Sequence, residues 1–183
     1  MKENSMMIGG FFVHDLFYYD DGKLIWKKRP VSHFFSESIS KAFNTKFEGR
    51  EAGTVSNKSG YAEVRVSSKA YLVHRIIYLM KTGDSPECVD HINRDKTDNR
   101  IENLRAATKS QNGINSKMRR NNTSGYKGVS FCKVRSMWKA CIKKDSKSIT
   151  IGYFSDINIA AKARLDAEIN YYGEFSTKGE ETK

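Results

Sequence analysis

The segment Val89-Asp-His-Ile-Asn-Arg-Asp-Lys-Thr-Asp-Asn-Arg-Ile-Glu-Asn-Leu-Arg105 decides the fold of the first part of the chain. Its apolar ends predict two short strands, 88–92 and 104–107, and the polar stretch between them predicts a loop. Thr108 and Gln111 follow with the Thr-x-x-Gln spacing of a capping box, which satisfies backbone amides at the start of a helix. The segment therefore predicts a strand, loop, strand and helix, which is a ββα unit.

The region upstream of this segment is predicted to form a small antiparallel sheet followed by a helix. Polar and apolar residues alternate from Tyr61 to Val66, as is typical of a half-buried strand, and Asp20-Asp-Gly22 supplies a turn. The predicted strands are 23–27, 52–55 and 61–66, and the predicted buried helix is 71–80.

The region downstream is predicted to be a three-stranded antiparallel sheet packed on one helix. The predicted strands are 126–132, 137–143 and 149–154. Ser155 is the expected cap of a helix from Asp156 to Tyr172, which Gly173 ends. The apolar stripe of this helix is expected to contain Ile157, Ala160, Ala161, Leu165, Ile169 and Tyr172. The chain is thus assigned to the α+β class.

The net charge of the 183-residue chain is +11, and one segment contains the whole excess. From Arg105 to Thr150 there are twelve basic residues and one acid, Asp145, whereas the other residues sum to zero. A block this one-sided indicates a polyanionic partner, with nucleic acid the expected one and a merely solvated surface the alternative.

Composition excludes several other classes of protein. The 38% hydrophobic content rules out disorder for the chain as a whole, and no apolar run is long enough to span a bilayer. The first ten residues lack a secretory signal, so we expect an intracellular protein without a membrane partner. The three cysteines contain no Cys-x-x-Cys pair, and we expect neither a disulfide framework nor a structural zinc ion.

Asp90 and His91 form a pair that suits phosphodiester cleavage. Such cleavage needs a divalent metal on oxygen ligands and a neutral imidazole that accepts a proton near pH 7. Asp90 is the candidate metal ligand, His91 the candidate base, and Asn112 on the following helix a second oxygen ligand. Mg²⁺, or Mn²⁺, is the expected ion.

The full array from Val89 to Arg105, followed by Asn112, resembles the HNH endonucleases, in the ββα-metal form common in phage and intron-encoded homing nucleases. The similarity extends over 22–117, including Leu72-Val-His-Arg75. By this resemblance His91 is the general base, Asp90 and Asn112 bind the metal, and Asn103 fixes the loop that aims His91. Two further residues are assigned as possible supporting residues, Asn99 and His74. His74 is interpreted as a hydrogen-bonded structural residue rather than a catalytic one.

The C-terminal region resembles the APETALA-type DNA-binding domain of plant transcription factors, which also occurs fused to phage HNH nucleases. The similar stretches include Ser124-Gly-Tyr-Lys-Gly-Val129 and Ile151-Gly-Tyr-Phe154. Several arginine positions of the plant motif are Ser130, Cys132 and Cys141 here, so the plant base preference does not carry over.

Alternation in the central strand assigns its two faces. Trp138, Ala140 and Ile142 are expected to point to the helix, with stacking on a base as the alternative for Trp138, while Lys139 and Lys143 point outward to the major groove. The predicted DNA-binding residues are Arg105, Lys117, Arg119, Arg120, Lys127, Lys133, Arg135, Lys139 and Lys143.

These inferences give a nuclease domain at 1–117, a basic linker at 118–125, a DNA-binding domain at 126–176 and a polar tail at 177–183. The expected function is metal-dependent, site-preferring cleavage of double-stranded DNA by a homing-type endonuclease, encoded by a phage or mobile element and acting in a bacterial cytoplasm. A monomer that nicks is slightly favoured over a dimer. The alternatives are a non-catalytic DNA-binding regulator on a nuclease scaffold and an RNA-binding module.

Overall fold

The chain forms two compact units, Met1–Ala106 and Ala107–Lys183, in a computed structural model. Both units combine helices with small sheets, which confirms the α+β class. Among the described residues, none of the helices is long and apolar enough to cross a membrane. The division lies before the helix expected after Thr108, whereas the predicted linker begins at residue 118. The structure describes residues 6–116, 118, 121–144 and 147–176.

The first unit is a succession of short strands interrupted by three helices in the part described. The strands β1 and β2 pair with each other, as do β3 and β4, while β5, β6 and β7 form a three-stranded antiparallel sheet and β8 lies beside β9. The elements are β1 (Met7–Ile8), β2 (Phe11–Phe12), α1 (Val13–Leu16), β3 (Phe17–Asp20), β4 (Lys23–Trp26), α2 (Glu37–Phe47), β5 (Thr54–Val55), β6 (Ala62–Val66), β7 (Lys69–Leu72), α3 (Val73–Thr82), β8 (Cys88–His91) and β9 (Leu104–Ala107).

The hydrophobic core of this unit fixes the two strands that flank the central loop of the sequence. Phe17, Leu24 and Ile77 are completely buried at its centre. Val89 of β8 and Leu104 of β9 belong to the same cluster of buried residues. Burying an apolar side chain of this size stabilises a fold by about 1.5–3 kcal/mol. Both ends of the loop are therefore anchored by core packing.

Two predicted elements have different bounds from those expected, because glycine or strand pairing changes the backbone. The helix predicted from residue 71 begins at Val73, since Lys69–Leu72 continues as strand β7 beside β6, and it ends at Gly83 with φ of +74°. The strand predicted at 52–55 is confined to Thr54–Val55, because Gly53 has φ of +108°.

Helix α2 was not predicted from the sequence. Ser36 caps it by accepting a hydrogen bond from the amide of Ile39, and the helix packs Phe43 edge-on against Trp26 with ring centroids 5.2 Å apart. Phe43 and Phe47 lie one turn apart and pack against the core, while most of its other residues are exposed. The helix therefore depends on Trp26, an aromatic partner that is distant in the sequence.

The second unit contains the predicted three-stranded sheet and long helix. Strands β10, β11 and β12 are antiparallel in that order, with a bulge between Ala140 and Cys141, and α5 packs on their inner face. Val129, Ala140 and Ala160 form the buried centre. The elements are α4 (Lys109–Ile114), β10 (Val129–Cys132), β11 (Met137–Lys144), β12 (Lys147–Phe154) and α5 (Ile157–Tyr172).

The cap and the buried face of α5 both differ from the prediction. Asp156, not Ser155, is the cap, because its carboxylate accepts hydrogen bonds from the amides of Asn158 and Ile159. Ala160 of the expected stripe is buried and Ile157 and Ala161 pack against the same core, but Ile169 is 54% exposed, and the buried positions of the helix include charged residues. These buried positions are Ala160, Arg164, Ala167 and Glu168.

The charged residues on the buried face of this helix form an ion pair. The Nη1 of Arg164 lies 2.9 Å from Oε1 of Glu168, one helical turn further on. Gly128 makes room for the guanidinium, because a Cβ at this position, with φ of +73°, would meet Arg164 Nε. The absence of a side chain at Gly128 therefore allows a charged pair to occupy the helix-sheet interface of the second unit.

The Asp156 cap gives a direct test of this correction. Asp156→Ala should lower the free energy of unfolding of the second unit by about 1 kcal/mol, whereas Ser155→Ala should leave it unchanged. Amide hydrogen exchange of α5 in the two variants measures the difference. Equal protection in both variants would contradict the assignment of Asp156 as the cap.

Candidate active site

The loop between β8 and β9 is closed by the side chain of Asn103. Its amide Nδ2 donates to the Asn93 side-chain oxygen at 3.0 Å and to the Asp98 carbonyl at 2.7 Å. Its Oδ1 accepts from the Asn93 amide at 2.9 Å, and the Asn103 carbonyl accepts from the Ile92 amide at 2.8 Å. Asn103 is buried, so these hydrogen bonds form out of competition with bulk water. One side chain thus joins both ends and the middle of the loop.

Charged residues within the loop add local hydrogen bonds. Arg100 donates to both carboxylate oxygens of Asp98, each at 2.8 Å. These hydrogen bonds are the main cause that lowers the pKa of Asp98 to about 2, so it is ionised at neutral pH. Asp95 accepts from the amide and hydroxyl of Thr97, which lowers its pKa as well. The loop is rich in formal charge and in fixed turns.

His91 ends strand β8 and is held from this loop by Asn99. The Nε2 of His91 lies 2.9 Å from Oδ1 of Asn99, and both residues are buried, with 3% and 5% of their surfaces exposed. An amide oxygen only accepts hydrogen bonds, so in this arrangement Nε2 carries the hydrogen. Nδ1 is then the nitrogen of the neutral imidazole that can accept a proton. The geometry therefore selects one tautomer of His91.

The imidazole of His91 also packs against two aromatic rings. Its centroid lies 4.8 Å from that of His74 and 5.8 Å from that of Tyr61, and His74 and Tyr61 are 5.0 Å apart. Burial raises the pKa of Tyr61, so its phenol stays neutral at physiological pH. The stack restrains the plane of His91, while Asn99 restrains its rotation.

His74 is buried, as a structural residue should be, yet the hydrogen bond expected for it is not found at Nδ1. Among the described residues, Nδ1 of His74 has no hydrogen-bond partner. Burial first, then the charges of His91 and Arg75, lowers the pKa of His74 from 6.5 to about 3. His74 is therefore a neutral packing surface for His91 at physiological pH.

Asp90 precedes His91 and is buried with 5% of its surface exposed. Arg105 of the neighbouring strand β9 donates to Asp90 Oδ2 from Nε at 3.0 Å and from Nη2 at 2.9 Å. Arg105 was predicted to bind DNA, but its guanidinium is bound to this carboxylate and its side chain is only 14% exposed. The buried carboxylate of Asp90 thus lies in a place that accommodates a positive charge.

Asn112 lies on helix α4 in the second unit, half-buried. The predicted capping box is present, because the Gln111 amide donates to the Thr108 hydroxyl and Gln111 Oε1 accepts from the Thr108 amide. The capping box fixes the start of α4. The role of Asn112 on this helix as a metal ligand stays a prediction.

The predicted DNA-binding residues have different surroundings. Lys133, Arg135 and Lys143 are exposed and Lys139 is half-buried. Lys127 instead donates from Nζ to backbone carbonyls at the end of α4. Three of the predicted residues lie outside the described part of the chain: Lys117, Arg119 and Arg120.

Sequence reasoning missed one aromatic residue on the outer face of the sheet. Tyr153 lies beside Lys139 in the register of β11 and β12, and the guanidinium of Arg135 lies 4.5 Å from its ring centroid. The alternation of β12 could have placed Tyr153 on this face, whereas the contact with Arg135 depends on the turn between β10 and β11. Arg135 and Tyr153 together form a cation-π pair at the sheet surface.

The described residues contain no group of three or more His, Cys, Asp or Glu side chains that could hold a metal ion. The predicted ligand pair is of another kind, one carboxylate and one amide oxygen. Such a pair leaves most of the coordination sphere to water and phosphate, which suits Mg²⁺. The three cysteines are free thiols.

The loop, the two strands around it and the following helix lie in a segment whose sequence matches a known family. Residues 71–114 match the HNH endonuclease family. The aligned region covers the buried histidines, the loop closed by Asn103 and all of α4. HNH nucleases generally use divalent metal ions.

Two viral proteins are similar to parts of the chain. Protein 3.8 of Escherichia phage T7 is 37% identical over 59 residues, which are 32% of this chain and 49% of that protein. An uncharacterized HNH endonuclease of Acanthamoeba polyphaga mimivirus is 34% identical over 98 residues, which are 48% of this chain and 25% of that protein. The chain thus spans about half the length of the phage relative and a quarter of the mimivirus one. No solved structure matches this chain significantly. The family match and the mimivirus relative support an HNH-type nuclease.

The low pKa of His74 predicts how stability depends on pH. Because the folded pKa, about 3, lies below the ordinary value of 6.5, the unfolded state binds more protons between these limits. Stability should therefore fall as pH falls below 6.5, by about 1.4 kcal/mol per pH unit from this group. His74→Phe keeps a ring in the stack and should abolish that loss.

Urea unfolding at about pH 7 and about pH 5, followed by Trp26 fluorescence in a Trp138→Phe background, measures the effect. The chain with His74 should lose roughly 2 kcal/mol more than the His74→Phe variant over this interval. An identical pH dependence of the two proteins would show that His74 protonates in the folded state without cost.

Proposed function

We propose that this protein is a divalent-metal-dependent, site-preferring DNA endonuclease of the homing type. The observation that carries the proposal is the buried His91, whose Nε2 lies 2.9 Å from Oδ1 of the buried Asn99 and which is adjacent to the buried carboxylate of Asp90. A histidine held in one tautomer, next to an acid and within an HNH-matching segment, is suited to take a proton from water. Double-stranded DNA is the proposed substrate.

His91 acts as the general base in this proposal. Nδ1 takes the proton from the attacking water while Nε2 keeps its hydrogen bond to Asn99. The positive charge that forms on the imidazole is stabilised because Nε2–H already points at an amide oxygen. Asn103 holds the loop that presents Asn99, so it is a positioning residue here. Tyr61 and His74 stay neutral and keep water from the back of the ring.

Asp90 and Asn112 are the proposed ligands of Mg²⁺ or Mn²⁺. Their oxygen donors have the chemistry that hard divalent cations prefer. Arg105 donates two hydrogen bonds to Oδ2 of Asp90, so a divalent ion would have to share this carboxylate with the guanidinium. A bound ion would offset charge on the phosphate and on the leaving oxygen.

The C-terminal sheet is proposed to be an APETALA-type module that binds the DNA groove. It would span residues 126–176, connected to the nuclease domain by the linker 118–125. The outer face presents Lys139, Tyr153 and Arg135 together, which combines positive charge with an aromatic surface. Phosphate contacts from such a face supply affinity, and contacts to base edges supply register. We further propose a monomer that nicks, acting in the cytoplasm of a bacterial host.

Cleavage by His91→Ala tests the proposal. The variant should cut about 10² to 10⁴ times more slowly than the unchanged protein, with DNA affinity nearly intact, because general-base catalysis contributes on that order. His14→Ala removes an exposed histidine and is the matched control. Single-turnover cleavage of plasmid DNA with Mg²⁺, together with gel shifts, measures both quantities.

The possible results separate the proposal from its alternatives. If His91→Ala cuts at the unchanged rate, His91 is not the base. Suppose that neither the unchanged protein nor His14→Ala cuts plasmid DNA with Mg²⁺ or Mn²⁺, yet both bind it in gel-shift assays. The chain is then a DNA-binding regulator on a nuclease scaffold. Preferential shift of RNA would favour an RNA-binding module.

A further inference from the structure

Helix α4 is too short to be stable by itself. It contains six residues, Lys109–Ile114, and one of them is Gly113. Isolated helices shorter than about 12 residues are marginal in water, and glycine inside a helix costs about 0.5–1 kcal/mol relative to alanine. Contacts at its ends must therefore hold the helix that bears Asn112.

Both ends of α4 do have such contacts. The start is held by the capping box of Thr108 and Gln111. At the other end, Nζ of Lys127 donates to the carbonyl of Ile114 at 2.7 Å and to that of Ser116 at 2.6 Å. No later turn of the helix supplies backbone amides to these carbonyls. A cation at this end also interacts favourably with the helix dipole. Lys127 is thus a charged cap on α4.

The backbone of Lys127 is fixed to the sheet of the same unit. On one side, the Val129 amide bonds to the Tyr126 carbonyl, and the Tyr126 hydroxyl donates to Asn158 of α5 at 3.0 Å. On the other side, the Gly128 carbonyl accepts from the Cys141 amide of β11 at 2.8 Å. A side chain rooted between these anchors transmits the position of the sheet to α4.

We propose that Lys127 is a positioning residue for the metal ligand Asn112, and not a phosphate contact. Its ammonium joins the proposed DNA-binding sheet to the end of α4, so the sheet determines how Asn112 is held. This inference rests on the proposed role of Asn112. Lys127 belongs to the basic segment, but two of its three N–H donors bind backbone carbonyls of the protein itself.

Direct binding of Mn²⁺ to the full chain without DNA tests the proposal. Electron paramagnetic resonance of free Mn²⁺ would be titrated for the unchanged protein, Lys127→Met and Lys133→Met. Both variants remove one positive charge, but Lys133 is an exposed turn residue. Lys127→Met should weaken Mn²⁺ binding about two- to fivefold relative to Lys133→Met, as expected for the loss of a cation at a helix C-terminus. Lys127→Arg should recover part of the affinity.

In DNA binding, we expect Lys133→Met to be the affected variant and Lys127→Met the unaffected one. Lys133→Met should reduce the log–log salt slope of DNA binding by about 0.9, the value for one lost phosphate contact, whereas Lys127→Met should leave the slope unchanged. Suppose that Lys127→Met reduces the log–log salt slope of DNA binding by about 0.9 and binds Mn²⁺ as tightly as Lys133→Met does. Lys127 is then a phosphate contact, and the proposal is wrong. If α4 amides exchange faster in Lys127→Met while Mn²⁺ affinity stays the same, Lys127 only stabilises the helix, and the proposal is again wrong.

Asn112→Ala separates failure of this inference from failure of the proposed function. If Asn112→Ala weakens Mn²⁺ binding and Lys127→Met does not, only the role of Lys127 is refuted. If Asn112→Ala itself leaves Mn²⁺ binding unchanged, the metal ligand of the proposed function is misassigned.

Discussion

The hydrogen bonds of the Asn103 side chain are the constraint on which the candidate active site depends. A loop of nine residues lies between Asn93 and Asn103, and ordering each residue costs about 1–2 kcal/mol of conformational entropy. Asn103 closes this loop through bonds to Asn93 and to the Asp98 carbonyl, while core packing of β8 and β9 anchors the two strands. Asn99 is then held where it meets Nε2 of His91.

The surroundings of His91 hold its imidazole in one orientation. His74 is buried in the helix α3, where protonation is disfavoured, so it adds a ring surface without adding charge. Asp90, the residue before His91 in the strand, meets Arg105. The alternation of a strand sends adjacent side chains to opposite sides, which keeps the histidine and the carboxylate in separate environments. Different environments allow the two groups to take different chemical roles.

Local sequence rules predicted much of this structure. The capping box of Thr108 and Gln111 and the strand Leu104–Ala107 depend on neighbouring residues, and both are present as predicted. The inward direction of Ala140 and Ile142 follows from period-two alternation, and both are buried. The assignment of Asn103 to the loop required the family resemblance, and its hydrogen bonds to the loop are those such a role needs.

The features that sequence reasoning missed depend on partners distant in the chain. Arg105 pairs with Asp90 because two strands lie side by side, and no local pattern distinguishes such an arginine from one that binds phosphate. Arg164 is buried with Glu168 because Gly128 leaves room for it, although both residues look like surface charges on a helix. Helix α2 packs Phe43 and Phe47 against Trp26, a residue distant in the chain.

We propose that Asn99 and Asn103 act on catalysis through one residue, His91. A double-mutant cycle on single-turnover cleavage, with Asn99→Ala, Asn103→Ala and the double variant, measures this directly. We predict strong non-additivity, with the double variant no slower than the slower single variant, because either change releases the same imidazole. Rate losses that add in free energy would contradict the account, since they would show that the two side chains act independently.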